Sequence, residues 1–296
     1  VKDHTAHVSA AKKLSEFVMA EFGEEKQLKK FSEIVGVFKE KKVLKVEKIN
    51  NISFCIPTNG KRIEKTRLTI ESIKKQKWNK IPYEIIVCGD VECFRDIKGI
   101  TLLDKKEEAH SKKVSVLRNT AASKASHEVI VFCDDDIILE SDWLEKTINF
   151  SEKEGWEVLG NKILNPDGTR HWDKALMNPR SLVDYSHSDN DMNLMQTSGF
   201  FLVRKKILDE ISWDETKLVY ADRENNSVPE DVQFNIELRK KNFTLRFNQE
   251  ASVWHNDETY TEFGQQTLKK ELIEEKTGMA NFLSESEDFR KCLNSL

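Results

Sequence analysis

The chain has 296 residues, of which 38% are hydrophobic and 33% charged, and its 47 basic and 51 acidic side chains leave a formal net charge of −4. This composition excludes a disordered or fibrous chain, and it lacks the strongly basic footprint of a nucleic-acid binder, so no nucleic-acid partner is expected. No apolar run approaches the roughly 18 residues of a membrane span. No signal peptide is expected, although peripheral attachment to a membrane remains open.

Residues 1–48 read as a helical, charged extension. Ala11, Leu14 and Val18 recur at helical spacing, as do Leu28, Phe31, Val35 and Phe38, with Gly23 between the two stripes. Such stripes suit a helical pair packed on the main domain, or a docking helix for a partner or a membrane surface. From Asn50 the pattern changes. Ile52–Ile56 is an apolar strand ending in the turn Pro57-Thr58-Asn59-Gly60. Lys65–Lys77 predicts a helix with Leu68, Ile70 and Ile73 inward. Tyr83–Cys88 and Ile100–Leu103 predict further strands, Val114–Ser126 a helix, and Val129–Phe132 a fourth strand. This alternation indicates βαβ units, hence an α/β fold with a mainly parallel sheet flanked by helices. Such sheets bind ligands beyond the carboxyl ends of their strands, which directs attention to the residues after Ile56, Cys88 and Cys133.

Residues 155–260 are less regular. They include the turn Asn165-Pro166-Asp167-Gly168 and a polar stretch, Ser186–Asn193, of the kind that is often functional or mobile. Gln265–Glu275 returns to helix. The expected organisation is a helical extension (1–48), an α/β domain (49–264) and a helical tail (265–296). The five cysteines include no Cys-x-x-Cys pair. Cys55, Cys88 and Cys133 lie in or beside apolar runs and read as core residues, which points to a reducing compartment and a cytoplasmic location.

The strongest chemical signal is Val129-Ile130-Val131-Phe132-Cys133-Asp134-Asp135-Asp136, a strand delivering three carboxylates at its end. Alternation along an extended chain would put Asp134 and Asp136 on one face. Adjacent carboxylates repel unless a cation or donor groups neutralise them, and hard oxygen ligands favour Mg²⁺ or Mn²⁺. Such an ion can hold a diphosphate and absorb charge as it departs. A solvated acidic turn at a helix start reads the same way. The second cluster is Ser227-Val228-Pro229-Glu230-Asp231. Ser227 and Glu230 have capping-box spacing, and acidic residues suit a first helical turn. Val232 and Ile236 should point inward from that helix.

Several of these stretches resemble the GT-A glycosyltransferases, particularly the inverting family 2, over roughly residues 51–256. Phe54-Cys55-Ile56-Pro57-Thr58-Asn59 resembles the family's opening strand, although Gly-Lys-Arg follows and the usual Tyr is absent. Glu84–Asp90 resembles the second strand, whose terminal Asp typically meets the nucleobase; the usual Asp-Asp-Gly-Ser ending is missing here. Leu117-Arg118-Asn119-Thr120-Ala121 resembles the helix before the acidic motif, Asp134–Asp136 resembles the Asp-x-Asp motif, and Thr197–Arg204 with Gly199 resembles the strand lining the acceptor side.

The resemblance implies a GT-A fold and transfer of a sugar from a nucleotide-sugar donor, most simply a UDP-sugar, to a sugar-containing acceptor, as in polysaccharide biosynthesis. It implies that Asp134 binds the donor, Asp136 the metal, and Asp135 assists either. Pro57, Thr58, Asn59 and Asp90 would shape the nucleotide pocket, with Lys113 or Arg118 reaching base or phosphate. A structural salt bridge is the plainer role for Arg118. Glu230-Asp231 resembles the family's Glu-Asp motif, in which Asp231 would be the general base, within reach of the acceptor hydroxyl. His255, in Trp254-His255-Asn256, is either a metal or diphosphate ligand or a structural histidine. Asp167–Trp172 reads as the acceptor-side loop: Arg170 could hold an anionic group, His171 lies between, and Trp172 offers a stacking face or a core anchor. A sugar nucleotidyltransferase also uses such a sheet with paired Asp residues but would show a Gly-rich phosphate loop, where Thr58–Arg62 has one Gly. A binding-only relative is the third reading.

Overall fold

A computed structural model of the chain describes residues 44–168, 171, 173–177, 182–184, 194–196, 199–217 and 229–256. All of them lie in one compact unit, residues 43–296. Both N-terminal stripes and the helix expected at Gln265–Glu275 fall outside the described residues, and residues 44–50 are irregular backbone rather than helix.

The elements run β1 (Ile52–Thr58), α1 (Ile63–Lys74), β2 (Tyr83–Gly89), β3 (Thr101–Asp104), α2 (Lys106–His110), α3 (Val114–Lys124), β4 (Val129–Cys133), β5 (Ile137–Leu139), α4 (Trp143–Ser151), β6 (Val158–Leu164), β7 (Lys174–Met177), β8 (Leu182–Asp184), β9 (Leu194–Gln196), β10 (Phe200–Arg204), α5 (Glu230–Lys240) and β11 (Leu245–His255). Eight strands form one sheet in the order β3-β2-β1-β4-β10-β6-β11-β5, and β8-β7-β9 form a small second sheet. The half from β3 to β4 is parallel. Beyond it β10 runs antiparallel to both β4 and β6, β11 parallel to β6, and β5 antiparallel to β11. The sheet is therefore mixed, and the parallel pattern expected from the sequence holds for its first half.

Both faces of this sheet are covered, which is why β4 reads as an unbroken apolar run and β1 as a mainly apolar one. Alternate residues feed opposite cores: Phe54, Ile56, Val129 and Val131 join Ile70, Ile73 and Trp143 on one side. Cys55, Ile130 and Phe132 join Leu117, Phe201, Trp213 and Phe234 on the other. Cys55, Cys88 and Cys133 are buried free thiols, as expected. On α1 the inward face is Thr66, Thr69, Ile70 and Ile73. Leu68, expected inward, is 45% exposed. Leu68 and Ile70 lie two residues apart, about 200° around a helix, so one face cannot hold both. The two threonines are accommodated because Thr66 Oγ1 donates to the Arg62 carbonyl and Thr69 Oγ1 to the Lys65 carbonyl. Among the described residues no helix is long and apolar enough to cross a membrane.

Candidate active site

The carboxyl ends of β1, β2 and β4 open on one edge of the sheet. Antiparallel β10 brings its first residues to the same edge, with Phe200 opposite Cys133, and β11 brings His255 opposite Ile137. The acidic turn therefore meets the turn after β1, the start of β10 and the end of β11.

After Cys133 the backbone leaves the extended conformation. Asp134 N donates to the Gly199 carbonyl at 2.9 Å, and Ile137 N to the Asp134 carbonyl at 3.3 Å. This turn cancels the strand alternation that would have paired Asp134 with Asp136. Asp135 and Asp136 instead share a cation. Arg62 Nη2 lies 2.8 Å from Asp135 Oδ1, and Arg62 Nη1 donates to Asp136 Oδ2. Thr58 Oγ1 also donates to Asp135 Oδ2 at 2.7 Å. Asp135 and Asp136 are only 2% and 1% exposed. Burial raises the Asp135 pKa to about 6, against the opposing pull of Arg62 and Thr58.

Asp134 turns the other way, to Arg118, whose Nη2 is 3.0 Å from Asp134 Oδ1 and whose Nη1 donates to Glu230 Oε1 at 2.9 Å. The guanidinium lies 4.4 Å over the Trp213 ring, and that ring stacks on Phe234. Burial works against the Arg118 charge, but the two carboxylates outweigh it and its pKa is raised. Burial likewise raises Asp134; its side chain keeps 32% of its surface open, so water screens part of that effect. Arg118 ties the acidic turn to the first turn of α5 through two ion pairs.

The expected capping box falls partly outside the described residues. Ser227 lies outside the described residues, and α5 starts after Pro229 with no side-chain cap. Glu230 is committed to Arg118 instead. Burial, reinforced by the neighbouring Asp231 charge, raises the Glu230 pKa to about 8. Asp231 is partly exposed, and its Oδ1 accepts from Val232 N at 2.8 Å. Burial raises its pKa as well. A half-open carboxylate of raised basicity suits proton abstraction.

Asp90 lies at the corner just beyond β2. His110 Nε2 lies 3.0 Å and Lys106 Nζ 3.3 Å from Asp90 Oδ2. Two glycines permit this corner. A side chain at Gly89 would meet the Thr58 carbonyl at 1.9 Å, and one at Gly60 (φ +73) would meet Asp90 at 2.9 Å. Pro57 pairs in register with Cys88, and Asn59 Oδ1 accepts from Lys61 N. Lys113, at the start of α3, is exposed. Of the expected acceptor loop, Arg170 and Trp172 lie outside the described residues. His171 stacks on His255 with ring centres 4.3 Å apart, and its Nδ1 is 3.0 Å from Asn165 Oδ1. Gly199 lies 3.9 Å from Asp134 Oδ2, measured from a Cβ built upon it.

Among the described residues, no group of three or more His, Cys, Asp or Glu side chains converges on a metal position. His255 Nε2 is 3.5 Å from Asp136 Oδ2. The His255 Nδ1 is buried with no hydrogen-bond partner among the described residues, so no second bond commits its Nε2 to one tautomer. One carboxylate and one imidazole fit Mg²⁺ or Mn²⁺, which commonly complete their shells with water and phosphate oxygens. Sequence reasoning missed Arg62, Lys106, His110 and Trp213. The Gly-Lys-Arg that follows Asn59 was the available sign of Arg62.

Residues 106–212 match the model for glycosyl transferase family 2. The match covers Arg118, the acidic turn and Gly199, and stops short of Glu230. No curated protein matches the chain. Among solved structures, S. aureus TarS is similar with a TM-score of 0.50 at 15% identity, over 80% of this chain and 44% of that one. TarS 1–349 gives 0.49 at 15% over 82% and 68%. TarS 1–349 in complex with UDP gives 0.49 at 17% over 69% and 60%. At such identities the likeness is one of fold. The segment that carries the acidic turn is thus similar to the family 2 glycosyltransferases, and the fold is of the GT-A kind.

Proposed function

We propose that the enzyme transfers a sugar from a nucleoside-diphosphate sugar, a UDP-sugar in the simplest case, to a hydroxyl of a sugar-containing acceptor, with inversion at the anomeric carbon. The observation that carries this reading is the Arg118 bridge, which sets the acidic turn beside the first turn of α5. Donor-side and base-side carboxylates thereby share one site. Residues 49–264 would form the catalytic domain, and the buried free thiols suit a reducing compartment such as the cytoplasm.

In this scheme Asp90 and Thr58 bound the nucleotide end, and Asp134 holds the donor. Asp136 and His255 would hold Mg²⁺ or Mn²⁺, which supplies positive charge to the departing diphosphate. The acceptor approaches from the side of Asp231 and His171. Its oxygen forms a bond to the anomeric carbon as the carbon–phosphate-oxygen bond breaks. The hydroxyl proton passes to Asp231, and the nucleoside diphosphate leaves. One basic carboxylate suffices, because the leaving group needs no proton.

The test is NMR of the product formed from a UDP-sugar panel with Mn²⁺, alongside a chelated control. The expected product has the anomeric configuration opposite to the donor's, and none forms in EDTA. Retained configuration would reject the displacement, and full activity after thorough chelation would reject the metal.

A further inference from the structure

Arg62 occupies the place where a divalent cation would be needed. We propose that Arg62 is a resident cation that holds Asp135 and Asp136 until donor and metal arrive together, and that it then moves onto the donor diphosphate. This rests on the metal and nucleotide reading above.

The backbone of Arg62 is held by the start of α1, and its head group reaches the aspartates from the solvent side. Gly60 shapes the turn against Asp90. Arg62 caps α1, and its carbonyl accepts from Thr66 N at 2.9 Å and from Thr66 Oγ1 at 2.9 Å. Its side chain is nonetheless 45% exposed, whereas both partner carboxylates are 2% exposed. The guanidinium thus borders solvent on one side while it holds buried carboxylates on the other. A planar fork bridging two carboxylates is one that also suits two phosphate oxygens.

The two aspartates lose unequal support when it leaves. Asp135 keeps the Thr58 hydroxyl at 2.7 Å. Asp136 keeps His255 Nε2, at 3.5 Å from Oδ2. The oxygen that Arg62 Nη1 engages is that same Oδ2. A divalent ion on Asp136 Oδ2 would put a second cation on the oxygen that Arg62 already engages. Metal and the present Arg62 position therefore compete through charge repulsion. A diphosphate offers the guanidinium another anion and the metal further oxygens, so it favours the exchange twice. Metal and nucleotide must then strengthen each other's binding by the same factor.

The experiment is Mn²⁺ binding followed by EPR of the free ion, for the wild type, Arg62→Gln and Arg62→Lys, with and without UDP. A circular-dichroism melt checks that each variant is folded. The wild type should bind Mn²⁺ weakly alone and at least tenfold more tightly with UDP. Arg62→Gln should bind Mn²⁺ alone at least tenfold more tightly than the wild type, gain less from UDP, and bind UDP more weakly. Arg62→Lys, whose point charge cannot bridge both carboxylates, should fall between them. Equal Mn²⁺ affinity in the wild type and both variants, with UDP binding intact, would overturn the Arg62 proposal and leave the metal reading standing. Absence of Mn²⁺ binding in every protein, even with UDP, would overturn both.

Discussion

Two arginines neutralise the acidic turn from opposite sides. Arg118 is 2% exposed, lies over Trp213, and joins Asp134 to the buried Glu230. Arg62 is 45% exposed and joins Asp135 to Asp136. The geometry at the carboxylates is alike; the surroundings of the guanidinium differ. A buried arginine between buried acids cannot leave without stranding charge, so Arg118 acts as a fixed strut between the sheet edge and α5. A half-exposed arginine can be exchanged for another cation, so the same kind of bridge becomes a place where ligands enter.

The comparison breaks first at stability. Arg118→Met leaves Glu230 uncompensated in the core and should cost about 3–5 kcal/mol, the usual consequence of removing one partner of a buried pair. Arg62→Gln opens its two acids to water along the path the side chain vacates, and should cost about 1–2 kcal/mol. Urea denaturation of the two variants measures both. Equal losses would mean that Arg62 is as much a strut as Arg118.

A smaller effect sharpens the Arg118 side. The folded-state pKa of Glu230 is raised to about 8, above the roughly 4.3 of an unfolded glutamate. Across that interval the folded protein binds more protons, so stability falls as pH rises. Asp135, raised to about 6, contributes in the same direction lower in the range. Glu230→Gln should therefore flatten the decline between about pH 6.5 and 8 and lessen it below pH 6, where Asp135 still contributes. Denaturation midpoints at intervals of pH test this. An unchanged slope above pH 6.5 would assign the decline to other groups.

The parallel half of the sheet was legible in the sequence because it is buried on both faces. β4 is an unbroken apolar run, β1 and β2 are mainly apolar, and each ends in a turn or an acid. The other half hides its pattern behind buried polar residues. β6 contains Gly160-Asn161-Lys162, and Asn161 is buried because its Oδ1 accepts from Trp143 Nε1. Gly160 leaves room for the Gln196 side chain. β11 carries Asn248-Gln249-Glu250 at a register shift against β6, which erases alternation in an 11-residue strand. The acidic turn and the Glu230-Asp231 pair were also legible, since carboxylates at a strand end and a helix start are local features. Their partners were not. Arg62 and Arg118 lie 74 and 16 residues from the aspartates they hold, and only the topology decides which acid faces which arginine. Asp134 and Asp136 were expected together because a strand alternates, and the turn after Cys133 separated them.

The account stands or falls on the half-open carboxylate at the start of α5. The most direct measurement is the kcat of Asp231→Asn with a UDP-sugar and Mn²⁺, taken with donor affinity by calorimetry. The substitution keeps the shape and removes the basicity. Loss of a general base should lower kcat by about 10²–10⁴-fold, while donor affinity stays within about twofold, because Asp134 and Asp136 are intact. Near-normal turnover by Asp231→Asn would contradict the account, and the base would have to be sought elsewhere in the site.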